Sequence, residues 1–126
     1  MHDSEPLYVI SVAARLLGMH AQTLRKYERE HFIVPSRTKG RLRLYSAQDI
    51  ERLRQIKYLV EERGLNLAGV ELALTMSERL QRLRAQIDNA GSVEEAAARC
   101  EREIEELLAH LGRPGERRRT ADGSRG

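Results

Sequence analysis

The chain has 126 residues, 33% of them charged, with one phenylalanine, no tryptophan and a formal net charge of +3. That is room for one small domain and an extension, with too few aromatics for a large globular core and too little chain to enclose a large ligand pocket. A single cysteine excludes an intrachain disulfide, no apolar run approaches a membrane span, and the polar, acidic N-terminus shows no signal-peptide pattern, so a cytoplasmic location is expected.

Residues 1–6 read as disordered, and Leu7 to Ile10 as a short apolar lead-in. Ser11 is a favourable N-cap for a first helix reaching about Leu17, with Val12 and Leu16 on one face, and Gly18 ends it. His20 stands at the N-cap of a second helix, either as a cap or as a phosphate contact. Ala21 and Leu24 can turn inward there. Gln22, Arg25, Lys26 and Arg29 fall at i, i+3, i+4 and i+7 on the opposite face. A polar, basic second helix after a tight turn is what a helix-turn-helix presents to the major groove. Pro35 marks the entry to a hairpin. Arg37, Lys39, Arg41 and Arg43 follow with no acid among them, Lys39-Gly40 offers the turn, and Arg41, Arg43 and Tyr45 alternate with Leu42 and Leu44. A basic hairpin beside such a helix makes a winged helix-turn-helix.

Ser46 and Asp49 form a cap pair for a third helix, with Ile50, Leu53, Ile56, Lys57 and Val60 at 3–4 spacing, and Gly64 stops it. Asn66 caps a fourth helix containing Leu67, Val70, Leu72 and Leu74. From Met76 the spacing becomes that of a coiled coil. Met76, Leu80, Leu83, Ile87 and Ala90 step by four and three, the repeat breaks at Gly91-Ser92, and Val93, Ala97, Cys100, Ile104, Leu107 and Leu111 resume it. So narrow a stripe needs a partner helix, from a second copy or from a fold-back across Gly91. Cys100 inside that stripe reads as a small buried hydrophobe rather than a redox or metal group.

Charge follows the same division. Residues 1–60 carry a net +5, residues 61–111 a net −5, and the tail from 112 a net +3. A basic head and an acidic helical region suit one nucleic-acid surface and one protein surface. The tail, with Glu116-Arg117-Arg118-Arg119 and a Gly/Ser-rich end, reads as disordered.

Thr23-Leu24-Arg25-Lys26-Tyr27-Glu28, the basic wing ending Arg43-Leu44-Tyr45-Ser46 and the helix after it resemble the MerR family of regulators. Ile10 to Ala14, Gly18 to Arg25 and Asn66 to Val70 look most like the heat-shock repressors of that family. The resemblance covers about residues 7–76, and its separate motifs agree in order and spacing. It implies a mainly α fold. The MerR-like winged helix-turn-helix head would occupy 7–75 after a disordered 1–6. An interrupted coiled-coil dimerisation stalk would follow at 76–111, and a disordered basic tail at 112–126.

The function implied is a repressor of heat-shock (chaperone) genes, holding an inverted-repeat operator as a homodimer at the nucleoid. It would use no cofactor, metal or catalysis, and would have the DnaK chaperone as co-repressor, in contact with the last third of the chain. Gln22, Arg25 and Lys26 would read base edges. His20, Thr23, Tyr27, Arg37, Lys39, Arg41, Arg43 and Tyr45 would meet the backbone, as would the helix start at Asn66 in a second wing. Met76, Leu80, Leu83, Ile87, Ala97, Ile104, Leu107 and Leu111 would form the dimer seam.

Two positions depart from the family pattern. Lys26 stands where an aromatic is common. His31-Phe32 replaces a usual Gly-Leu, so histidine must take the left-handed turn that closes the helix while Phe32 fills a leucine slot. A metal- or redox-responsive MerR-type activator and an excisionase-like architectural protein remain alternative readings.

Overall fold

The computed structural model describes residues 5–38 and 40–114. Lys39, residues 1–4 and residues 115–126 lie outside the described residues, and with them the expected disorder of the N-terminus and the Arg-rich part of the tail. The chain forms two compact units, Met1–Leu74 and Thr75–Gly126.

The first unit opens with strand β1, Pro6–Val9, which runs directly into helix α1, Ile10–Leu17. This corrects the sequence reading in two places. Pro6 to Val9 is a strand because it pairs antiparallel with β3, Arg43–Ser46, matching Tyr8 to Tyr45 and Val9 to Leu44. Leaving that strand, Val9 itself takes the extended N-cap geometry of α1, without a side-chain cap, and Ser11 is an exposed first-turn residue. The buried face of α1 is Ala13, Ala14 and Leu17, whereas Leu16 is exposed. Small residues at 13 and 14 let neighbouring elements approach the helix backbone closely. Gly18 closes α1 at φ 64°, and Lys57 Nζ donates to the carbonyl of Leu17 at 2.8 Å.

Helix α2, Ala21–Arg29, buries Leu24 and Tyr27, while Ala21 is half-buried. It ends as the sequence requires. His31 lies at φ 65°, its N–H donates to the carbonyl of Glu28, and the Phe32 N–H reaches back to that of Tyr27, both at 3.0 Å. This is the closure usually made by glycine. Phe32 is buried with its ring 6.2 Å from that of Tyr27, filling the expected slot. The exposed His31 side chain offers little packing in return for its left-handed backbone. His31→Gly is therefore expected to stabilise the protein by about 0.5–1 kcal/mol, a rise of about 3 °C in Tm. Thermal unfolding of the full chain checks this, and an unchanged or lower Tm would show that the imidazole compensates for the strain.

Strand β2, Ser36–Arg37, completes a three-stranded antiparallel sheet in the order β1-β3-β2, with Ser36 opposite Leu44 and Arg37 opposite Arg43. The wing hairpin closes through Thr38. Its N–H donates to Leu42, its carbonyl accepts from Arg41, and its hydroxyl accepts from the Leu42 N–H. Positive φ falls on Arg41, at 66°, rather than on Gly40.

The Ser46–Asp49 pair is a reciprocal capping box, with bonds of 2.9 and 3.0 Å, opening helix α3, Ala47–Lys57. Ile50, Leu53 and Ile56 are buried as their spacing predicts. The helix continues as one wider π turn, Tyr58–Glu62, before Gly64 at φ 68° stops it. Asn66 Oδ1 accepts from the Gly69 N–H at 2.8 Å and caps helix α4, Leu67–Asp88. Val70 and Leu74 of α4 join one core with Leu24, Tyr27, Ile33, Tyr45, Leu53 and Ile56. Burial of each large apolar side chain in it is worth about 1.5–3 kcal/mol before entropy is counted.

In the second unit the interruption falls where the repeat breaks. Helix α4 ends at Asp88, and α5, Val93–His110, starts at a Ser92 cap whose hydroxyl accepts from the Glu95 N–H. The chain folds back, and Arg79 of α4 donates to Glu103 of α5 at 2.6 Å and also to Glu106. The heptad stripe divides in consequence. Leu107 is buried within the single chain, Met76 and Leu83 are half-buried, and Leu80, Ile87, Ala97, Ile104 and Leu111 are exposed. Cys100 is half-buried. Among the described residues no helix is long and apolar enough to cross a membrane.

Candidate nucleic-acid interface

Helix α2 and the wing build one basic surface. Gln22, Lys26 and Arg29 are exposed and Arg25 half-exposed, opposite the buried Leu24 and Tyr27, so the polar face deduced from spacing is the solvent face of α2. Thr23 is half-buried. His20 holds the extended N-cap conformation, but its side chain makes no cap bond and is exposed. A helix start whose first N–H groups lack a side-chain acceptor can receive a phosphate oxygen.

The wing carries Arg37, Arg41 and Arg43. Arg41 is exposed at the turn, beside a half-exposed Leu42. Arg37 and Arg43 converge on Glu28 in the last turn of α2. Arg43 Nε donates to one carboxylate oxygen at 2.6 Å and Arg37 Nη2 to the other at 2.5 Å. Partial burial would raise the Glu28 pKa, but the hydrogen bonds and charges of Arg43 and Arg37 prevail and hold it below the ordinary carboxylate value. Two nitrogens of Arg43, its Nη pair, lie beyond that bond and can meet a phosphate. Glu28 was not singled out in the sequence. The signal available was an acid, Glu28, set between Lys26 and Arg29 on a basic helix that precedes a hairpin without acids.

Two of the residues expected at the DNA backbone are buried. Tyr45 is 0% exposed, and its hydroxyl has no hydrogen-bond partner among the described residues. Burial, followed by the charge of Glu28, pushes its pKa up, so it stays a neutral phenol. Tyr27 is also buried, stacked at a tilt on Phe32, and its pKa is likewise raised by burial and by Glu61. The pairing of β3 with β1 turns Tyr45 into the core. The i, i+3 relation to Leu24 does the same for Tyr27. Both rings thus pack into the core.

At the second wing, Asn66 is exposed, and its side chain is committed to capping α4. A backbone contact from this loop would therefore come from N–H groups at the helix start. Lys39 lies outside the described residues. Among the described residues no group of three or more His, Cys, Asp or Glu could hold a metal ion.

Comparison with known proteins agrees with this geometry. The family model described as MerR HTH family regulatory protein matches residues 8–77. The chain is 43% identical over 103 residues to the heat shock protein HspR of Streptomyces coelicolor, which covers 82% of this chain and 68% of that protein. It is 40% identical over 75 residues to the HTH-type transcriptional regulator GlnR of Bacillus anthracis, covering 60% of this chain and 57% of that one. A MerR-family transcriptional regulator from Bacillus cereus shares the fold with a TM-score of 0.51 at 20% identity, over 93% of this chain and 91% of that one. The sequence motifs, the winged helix-turn-helix and these matches together show that the chain belongs to the MerR family of DNA-binding transcriptional regulators.

Proposed function

We propose that this protein is a dimeric repressor of heat-shock (chaperone) genes, acting on an inverted-repeat operator. The observation that carries the DNA-binding half is the continuous basic surface of α2 and the wing, joined through Glu28. What favours a heat-shock role is the extent of the likeness to HspR. That match runs over 103 residues, whereas the GlnR match covers 75. In this reading Gln22, Arg25 and Lys26 address base edges from the major groove. His20, Thr23, Arg37, Lys39, Arg41, Arg43 and the start of α4 at Asn66 hold phosphates. The exposed residues Leu80, Ile87, Ala97, Ile104 and Leu111 meet a second copy, and two-fold pairing of the heads then demands two-fold symmetry in the DNA.

The signal is assigned to a protein partner, the DnaK chaperone acting as co-repressor. Its contact would lie in the last third of the chain, where Leu108 is half-buried and Leu111 exposed at the end of α5. Selection of bound duplexes from a random pool, followed by gel shift with and without DnaK, tests both parts. The expected outcome is an inverted repeat, bound more tightly when DnaK is present. A single asymmetric site or an array of direct sites would overturn the dimeric operator, and affinity unchanged by DnaK would overturn the co-repressor.

A further inference from the structure

Glu28 lies in the last turn of α2, where a carboxylate opposes the helix dipole and gains nothing from the helix itself. Its side chain is only 20% exposed, and both of its oxygens are occupied by wing arginines from either strand of the hairpin. Arg37 and Arg43 are themselves opposite one another in the β2–β3 register. The carboxylate thus bridges the recognition helix to both strands of the wing at one level. Tyr45, two residues after Arg43 on β3, is buried in the core of the same unit. The cluster therefore combines two guanidinium groups with one carboxylate.

We propose that Glu28 is a positioning residue that sets the specificity of DNA binding, an inference that rests on the head being the DNA-binding surface. Its carboxylate occupies a place equivalent to a phosphate between the two arginines in the unbound protein. It fixes their height relative to the base-reading face of α2, so that helix and wing fit a duplex together or not at all. It also removes one positive charge from the surface, which weakens binding to any duplex whose backbone does not match that fixed geometry. Arg37, with 40% of its side chain exposed, is the arm that a matching phosphate draws off first. Arg43, at 27%, stays on Glu28 through Nε and offers its terminal nitrogens.

The consequence is an unequal gain: removal of its charge should tighten non-specific binding more than operator binding. The test uses the full chain, the duplex returned by the random-pool selection and a scrambled duplex of equal length, titrated across a range of salt. Glu28→Gln is expected to steepen the salt slope on scrambled DNA by about 0.9 unit and to raise that affinity about fivefold to tenfold at 0.1 M salt. Operator affinity should rise less than about threefold, so discrimination falls. Glu28→Asp keeps the charge but shortens the reach, and should lower discrimination with the wild-type salt slope. It also serves as the readout if Glu28→Gln fails to fold. The double variant Glu28→Gln/Arg37→Gln restores the net charge and should restore the slope but not the discrimination. A role limited to stability would lower both affinities alike with the slope unchanged, and discrimination restored in the double variant would reduce Glu28 to a charge effect. Either result overturns the proposal. Failure of the wild-type chain to select any duplex would instead overturn the DNA-binding reading on which it rests.

Discussion

Ile104→Asp is expected to convert the protein to monomers and to abolish operator binding at concentrations where the wild type is saturated. The reason lies in where Ile104 sits. It is 50% exposed on α5 in the single chain, so an aspartate there costs the chain's own fold little. In a dimer joined through the exposed stripe, the same carboxylate would be taken out of water without a partner. Each such burial costs at least ~2 kcal/mol, and two-fold symmetry brings two of them, so the dimer dissociation constant should rise about a thousandfold. Leu107→Asp would be a poor substitute, because Leu107 is already buried within one chain and its loss would disturb the unit itself. Sedimentation gives the oligomeric state, circular dichroism the helix content, and gel shift the affinity. A dimer that persists with unchanged affinity would mean that the copies meet through another surface.

Arg25→Ala is expected to cost about 1–3 kcal/mol on the operator and to relax sequence preference at the base it reads. Arg43→Ala should weaken operator and scrambled duplexes alike and reduce the salt slope by about one unit. Both residues are arginines of one surface, yet their settings differ. Arg25 projects from the outward face of α2 with Gln22 and Lys26 beside it. Arg43 is on the sheet, tied by Nε to Glu28, and can reach only with its terminal nitrogens. Binding curves for both variants on both duplexes decide the matter. Equal losses on operator and scrambled DNA for Arg25→Ala would assign it to the backbone and leave base reading to Gln22 and Lys26.

Several features of this protein are legible in its sequence because they depend on residues a few positions apart. The basic face of α2 follows from helical spacing, and the helix stops at Gly18 and Gly64 follow from glycine at positive φ. The Ser46–Asp49 capping box joins residues three apart. The left-handed turn forced on His31 and the break at Gly91-Ser92 are equally local. The stripe from Met76 also announces the need for a partner helix, though not which helix answers it.

What the tertiary structure decided concerns residues far apart in the chain. The pairing of Pro6–Val9 with Arg43–Ser46 turns an apolar lead-in into a strand and moves the start of α1 away from Ser11. It also sends Tyr45 inward, because a strand's faces alternate and only its partner's register says which face is covered. Glu28 meets Arg37 and Arg43 across nine and fifteen residues. Arg79 meets Glu103 across twenty-four, drawing part of the heptad stripe into the single chain. Spacing along a helix says which side chains share a face, but it is the pairing of distant segments that determines which face meets water and which charge finds its counterpart.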